Sequence, residues 1–234
     1  MDKLKLMIIR IGDERRELKD EHLGKLKTQL ISGFVMKDKS NRQTIVDTLL
    51  TCIRVMPHKA NLYSHLIASI AVDDFDFAQE ITLKVVESIN TSLTKNGDIF
   101  ASKNAMRILG SLVQVGLISS EAFCQLLLQI VEDYSKLQGS AVGTGCQTHS
   151  IDLMLETLLA AMPLTQQKLQ REQSIDFGTV IESLKAMFKE RERVRLGLSS
   201  HPDETDLLVK MWEATLQSST KILVSDRVLL SASR

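Results

Sequence analysis

The sequence predicts an all-α protein, a HEAT-like α-solenoid of about five to six antiparallel helix pairs. Three observations carry this. Apolar residues recur at helical spacing in every apolar run and alternate in none. The 234 residues include three prolines and 4% aromatics, in a composition that is 44% apolar and 25% charged, ordinary for a packed globular chain. Helix stop and start signals also recur, so that pairs begin near residues 41, 74, 119, 163 and 203, a period of roughly 30 to 45 residues with no shared consensus.

The stretch 44–71 sets the pattern. Ile45, Val46, Leu49, Leu50, Ile53 and Met56 mark one helical face. Pro57 ends that run, because proline has no N–H and biases the preceding residue away from helix. Leu62, Tyr63, Leu66, Ile67 and Ile70 restart the spacing at once. Two helices joined so closely fold back with their apolar faces touching, and such a pair needs a neighbour to bury the rest.

In chain order, residues 4–11 form a helical turn or two, broken at Gly12-Asp13. Residues 18–35 form a helix with Leu23, Leu26, Leu30, Ile31 and Phe34 on one side. Ser40 or Asn41 caps the next helix, and Asp73 or Asp74 the one carrying Phe77, Ala78, Ile81, Val85, Ile89 and Leu93. Asn96-Gly97-Asp98 is a turn. The helix from Ile99 buries Ala105, Met106, Leu109, Leu112 and Val113, and Gly116 ends it. Ser119 or Ser120 caps a helix burying Phe123, Leu126, Leu127, Ile130 and Tyr134.

Residues 138–147, rich in glycine and small side chains, form a mobile surface loop, and helix resumes at about Thr148. Ala161-Met162-Pro163 repeats the earlier Met-Pro stop. A helix over 175–190 runs into Lys-Glu-Arg-Glu-Arg-Val-Arg. His201-Pro202 opens one carrying Leu207, Leu208, Met211 and Leu216, and a last helix covers about 220–230.

Composition limits the functions open to this chain. Lys plus Arg and Asp plus Glu both number 29, so there is no overall polyanion-seeking field. No apolar run approaches the roughly 20 residues of a membrane helix, and no membrane partner is expected. Cys52, Cys124 and Cys146 lack metal-ligand spacing. Cys52 and Cys124 fall in apolar helical runs and read as core residues of an intracellular protein.

Catalysis needs a nucleophile beside a base, paired carboxylates in a cleft, or a metal cluster. His58 and His65 are two helical turns apart and read as surface or capping residues. Asp73, Asp74 and Asp76 cluster at a helix start, where capping explains them. The Gly-Ser-Ala-Val-Gly-Thr-Gly run lacks the Lys-Ser/Thr of a phosphate-binding loop and no strand precedes it. Trp212 reads as core. No catalytic, cofactor-binding or metal-ligating set results, and the chain reads as a non-enzymatic scaffold without a cofactor. The best local positive patch for a polar partner is Lys189, Arg191, Arg193 and Arg195, with Lys185 upstream and Glu190 and Glu192 interleaved.

Several runs together carry a resemblance. They are Leu-Met-Ile-Ile-Arg-Ile-Gly-Asp at 6–13, the stretch 49–67, Asp-Phe-Asp-Phe-Ala-Gln-Glu at 74–80, the stretch 106–119, and Thr-Leu-Leu-Ala-Ala-Met-Pro at 157–163. In this order, over residues 4–217, the chain resembles the N-terminal domains of the large-subunit family of the nuclear cap-binding complex. That family shares its fold with the middle domain of translation-initiation factor 4G. Met56, Pro57, Lys59, Tyr63 and Leu66 match the shared pattern. The Gly-rich run at 139–145 departs from it.

The resemblance implies a single helical-repeat domain over 1–234, the first of a longer multi-domain subunit. It implies a heterodimer with a small RNA-recognition-motif subunit that grips the capped RNA, and docking of RNA-processing, export and translation factors. It also implies a nuclear location with shuttling to the cytoplasm. Two other scaffolds fit the pattern: a 4G-like domain of a splicing, decay or translation factor, and an unrelated HEAT-type adaptor.

Overall fold

Several helices begin at an aspartate cap or a proline, and Gly116 or Pro57 ends two of them. The computed structural model describes residues 3–11, 13, 20–32, 39–93, 98–138, 144–172, 175–196 and 207–216. Among them are eleven helices and no strand. They are α1 (Lys3–Ile9), α2 (Asp20–Leu30), α3 (Lys39–Val55), α4 (Ala60–Asp73), α5 (Phe75–Thr91), α6 (Ile99–Gln114), α7 (Ser120–Gln138), α8 (Thr144–Leu159), α9 (Met162–Arg171), α10 (Ile175–Leu196) and α11 (207–216). They form two compact units, Met1–Ser119 and Ser120–Arg234.

In the first unit α1 packs on α3 and α2 on α4, while α5 and α6 complete the core. Pro57 opens a tight turn, Pro57–Lys59, between α3 and α4, with Met56 in an extended conformation (φ −127°, ψ 66°). The two helices it joins touch each other less than each touches α6. Face-to-face pairing of α3 with α4 is therefore a smaller part of the core than the short connection suggests. Tyr63, Leu66, Ile67 and Ile70 of α4 are fully buried, as are Ile45, Val46 and Leu49 of α3. Leu50 is only half-buried and borders a cleft, because the inward line is already filled by Val46, Leu49 and Ile53 at helical spacing.

The predicted Asp74 cap is found in place, and Asp98, read as part of a turn, is a cap as well. The Asp74 carboxylate accepts from the Phe77 N–H at 2.9 Å and starts α5. Asp98 does the same for Ala101 at 3.0 Å and starts α6. Gly116, at φ 83°, ends α6. The Gly116 N–H reaches the Val113 carbonyl and the Leu117 N–H the Leu112 carbonyl, both at 3.0 Å. This paired closure satisfies carbonyls left open at a helix end and needs a residue at ease in the left-handed region. α3 starts at Lys39, so Ser40 and Asn41 lie inside the helix instead of capping it.

In the second unit α10 packs on both α7 and α8. Phe123, Leu127, Leu155, Leu158 and Leu184 are buried. Phe188 of α10 stacks on Trp212 of α11, ring centroids 5.1 Å apart. Gln166 of α9 donates to the Thr215 carbonyl at 2.7 Å. Leu207, predicted to face inward, is exposed, because the inward line of α11 is Leu208, Trp212 and Thr215. α7 runs to Gln138 and α8 starts at Thr144, so helix covers much of the predicted loop 138–147 and begins before Thr148. Residues 139–143 lie outside the described residues, as do Phe34, the His201-Pro202 start and the 220–230 helix. The side chains of Leu23, Tyr134 and Cys146 lie outside them too.

Candidate functional site

The predicted basic patch does not come together as one surface. All four residues lie in α10. Lys189 and Arg193 are exposed. Arg193 is clamped to Glu190 one turn back through two hydrogen bonds, at 2.9 and 2.7 Å. That pairing pushes the Arg193 guanidinium up and holds the Glu190 carboxyl below its usual range. Arg191, 3% exposed, points the other way and donates from Nε to the Asp152 carboxylate of α8. The side chain of Arg195 lies outside the described residues. An odd-numbered run of basic residues wraps around a helix, since positions two apart stand on opposite faces.

Two concavities lie among the described residues of the first unit. One, of about 410 Å³, lies between the C-terminal half of α3, the C-terminal half of α5 and the start of α6. Leu50, Ile53, Ala101 and Ala105 give it apolar walls, and Thr51, Ser88 and Thr91 add hydroxyls. Its charges come in pairs. Arg54 donates to Asp98, and Lys84 donates to Glu87 at 2.6 Å. The Ala101 N–H and then the Arg54 guanidinium hold the Asp98 carboxyl below the usual range. Asn104 donates to the Arg54 carbonyl at 2.9 Å, closing the end of α3. Exposed Val55, Leu83 and Phe100 each stand one residue from a lining position.

A second groove, of about 450 Å³, lies between α1 and α3 and is lined by Lys5, Ile9, Thr48, Cys52, Val55 and Met56. At the C-terminal end of α1, Lys59 is buried. Its ammonium donates to the Ile9 carbonyl at 2.8 Å and to the Asp13 carboxylate. The Tyr63 hydroxyl is buried beside the Cys52 sulfur, with no partner in full hydrogen-bond geometry among the described residues. Burial pushes both the Cys52 thiol and the Tyr63 phenol up. A raised thiol is a poor nucleophile at neutral pH.

Polar side chains elsewhere in this unit join neighbouring helices. Arg42 bridges to Asp74 at 3.3 Å and lies over the Phe77 ring. Ser111 donates to Asn61 at 2.8 Å. The Asp73–Asp76 cluster is divided among structural tasks, Asp73 pairing with Lys27 at 3.0 Å and Asp74 capping α5. His58 and His65 are exposed. Among the described residues no three of His, Cys, Asp and Glu are placed to share a metal ion, and no helix is long and apolar enough to cross a membrane.

Sequence reasoning missed the Lys59–Asp13 link, because partners 46 residues apart leave no periodic signal. It also missed the α3–α5–α6 cleft. The one signal for it was the scatter of Val55, Leu83 and Phe100 off their helices' inward lines.

The α3–α5–α6 cleft is walled by packed helices, with its Arg54–Asp98 and Lys84–Glu87 charges paired. No family model matches the chain. The chain is 28% identical over 132 residues to nuclear cap-binding protein subunit 1 of Anopheles gambiae, and equally to that of Aedes aegypti. The match takes in 56% of this chain and 16% of each relative. Both relatives bear the name of the family that the sequence resembles.

Proposed function

We propose that residues 1–234 are the N-terminal helical-repeat domain of the large subunit of a nuclear cap-binding complex, one part of a longer multi-domain protein. The domain is a non-enzymatic scaffold. The full subunit pairs with a small RNA-recognition-motif protein, and capped RNA is held through that partner. RNA-processing, export and translation factors dock on the helical surface, in the nucleus and during shuttling to the cytoplasm. The observation that carries this reading is the similarity to two proteins named nuclear cap-binding subunit 1, on a chain whose described residues form no strand.

The charge-paired clefts support docking of proteins over direct capture of RNA. RNA affinity rests on phosphate contacts by free cations, and Arg54, Lys84 and Arg193 each face a carboxylate. Lys189 and Arg193 remain the surface positions where a polyanion would touch α10.

Affinity capture with the full-length subunit tests the reading. Recovery of a small RNA-recognition-motif protein, and cap-analogue retention only when both chains are present, is the expected result. Recovery of a helicase without such a partner would instead place the chain in a splicing, decay or translation scaffold of the 4G type, a fold whose pattern Pro57, Tyr63 and Leu66 also match.

A further inference from the structure

Two features outside that reading carry little. The α3–α5–α6 cleft has its charges paired, with nothing to say what fills it. The Arg191–Asp152 pair joins α10 to α8 and acts on stability alone. The attachment of α1 carries more.

We propose that α1 and the turn after it form a releasable strap over the outer face of α3, latched by Lys59. The inference is independent of the cap-binding reading. α1 has seven residues, too few to persist as a helix by itself. Its main packing partner is α3, and Leu4, Ile8 and Ile11 are buried while Leu6, Met7 and Ile9 are half-buried. Burying these six side chains, three of them in part, and ordering residues 3–11 are opposing terms of similar size. The polar latch therefore decides the balance.

The latch is one-sided. The Lys59 side chain is 8% exposed, and the two groups it meets, the Ile9 carbonyl and the Asp13 carboxylate, both belong to the strap. A buried ammonium stripped of both is strongly disfavoured. The strap is therefore either seated with Lys59 paired, or off with Lys59 drawn into water. A groove of about 450 Å³ runs beside the strap along α3, with Cys52 among its lining residues.

Release opens that groove and uncovers Thr48, Cys52 and Met56 beside the already exposed Val55. The opened stripe suits an amphipathic helix of a protein partner that offers what α1 offers. That means aliphatic residues at the spacing of Leu4, Ile8 and Ile11, and a carboxylate just past its end for Lys59.

Thiol labelling tests this on the whole chain. In a Cys146→Ser background the remaining thiols, Cys52 and Cys124, are both buried. Asp13→Ala and, separately, Lys59→Met should each speed alkylation of Cys52 roughly tenfold or more, as expected for loss of a charge-assisted hydrogen bond. Cys124 labelling and amide protection across α4–α6 should stay at the parent level. Two results would overturn the proposal. One is an unchanged Cys52 rate in both variants. The other is a faster rate accompanied by loss of α4–α6 protection, which would mean that the whole unit had loosened.

Discussion

Leu66 has no solvent contact, whereas Leu50, also on an apolar run beside Pro57, keeps one side open to the α3–α5–α6 cleft. Leu66→Ala should therefore destabilise by about 2–5 kcal/mol, the loss of buried methyl groups plus a cavity. Leu50→Ala should cost roughly half as much, because water already reaches the site. Urea midpoints of the two variants check the order.

Asp98 gives a pH-dependent counterpart. Its carboxyl is held below the usual range by the Ala101 N–H and by Arg54. Its contribution is therefore complete above the unfolded value of about 3.9. That contribution is lost as pH falls through the lower folded value. Asn also caps helices but does not titrate there. The urea midpoint of Asp98→Asn should thus fall less than that of the parent between about pH 5 and pH 3.

Helix ends and faces carry the next set of outcomes. Gly116→Ala places a side chain at φ 83° and should destabilise α6 and its unit by about 1–2 kcal/mol. A thermal midpoint equal to the parent's would show that the turn relaxes into another conformation. On α10, Lys189→Glu and Arg193→Glu should leave stability within about 0.5 kcal/mol while weakening any RNA retention. Arg191→Glu should instead loosen the second unit, since it sets a carboxylate against Asp152 in a buried contact. Filter binding at two salt concentrations, beside a melting curve for each variant, separates these effects.

The elements themselves were largely legible in the sequence. Pro57, Asp74, Asp98, Gly116 and Pro163 each act locally, through a missing N–H, a capping oxygen or a permissive φ. Local chemistry survives in a one-dimensional reading. What was not legible depended on rotation about a helix axis and on distant partners. Leu207 and Leu208 are equally apolar, but only Leu208 faces inward in α11. Arg191 looks like its basic neighbours until Asp152 of α8 claims it. The length of α8 was misread because glycine and small residues suggested a loop where helix begins at Thr144. The two concavities of the first unit left little trace in the sequence, because each is made by residues from separate helices.

For the molecule as a whole, balanced charge and paired surface ions set the outcome with nucleic acid. The isolated chain should show no submicromolar affinity for a methylated cap analogue in a fluorescence-quenching titration. Uncapped RNA should bind no tighter than about micromolar, and more weakly as salt rises. Tight cap binding by this chain alone would place the cap pocket on it and remove the need for a second subunit.

The polar links within the first unit have a bearing on how fast it forms. Arg42 to Asp74, Arg54 to Asp98, Lys59 to Asp13, Arg54 to Asn104 and Asn61 to Ser111 close loops of 32 to 50 residues. These are long-range links, but the cost of closing such loops rises only slowly with their length. Helical chains, whose contacts lie mostly within helices, cross their folding barrier in milliseconds or less. The main refolding phase of this unit, followed by stopped-flow far-ultraviolet circular dichroism, should fall in that range. A nascent chain emerging at about 5–20 residues per second would then have time to complete each helix layer before the next one appears.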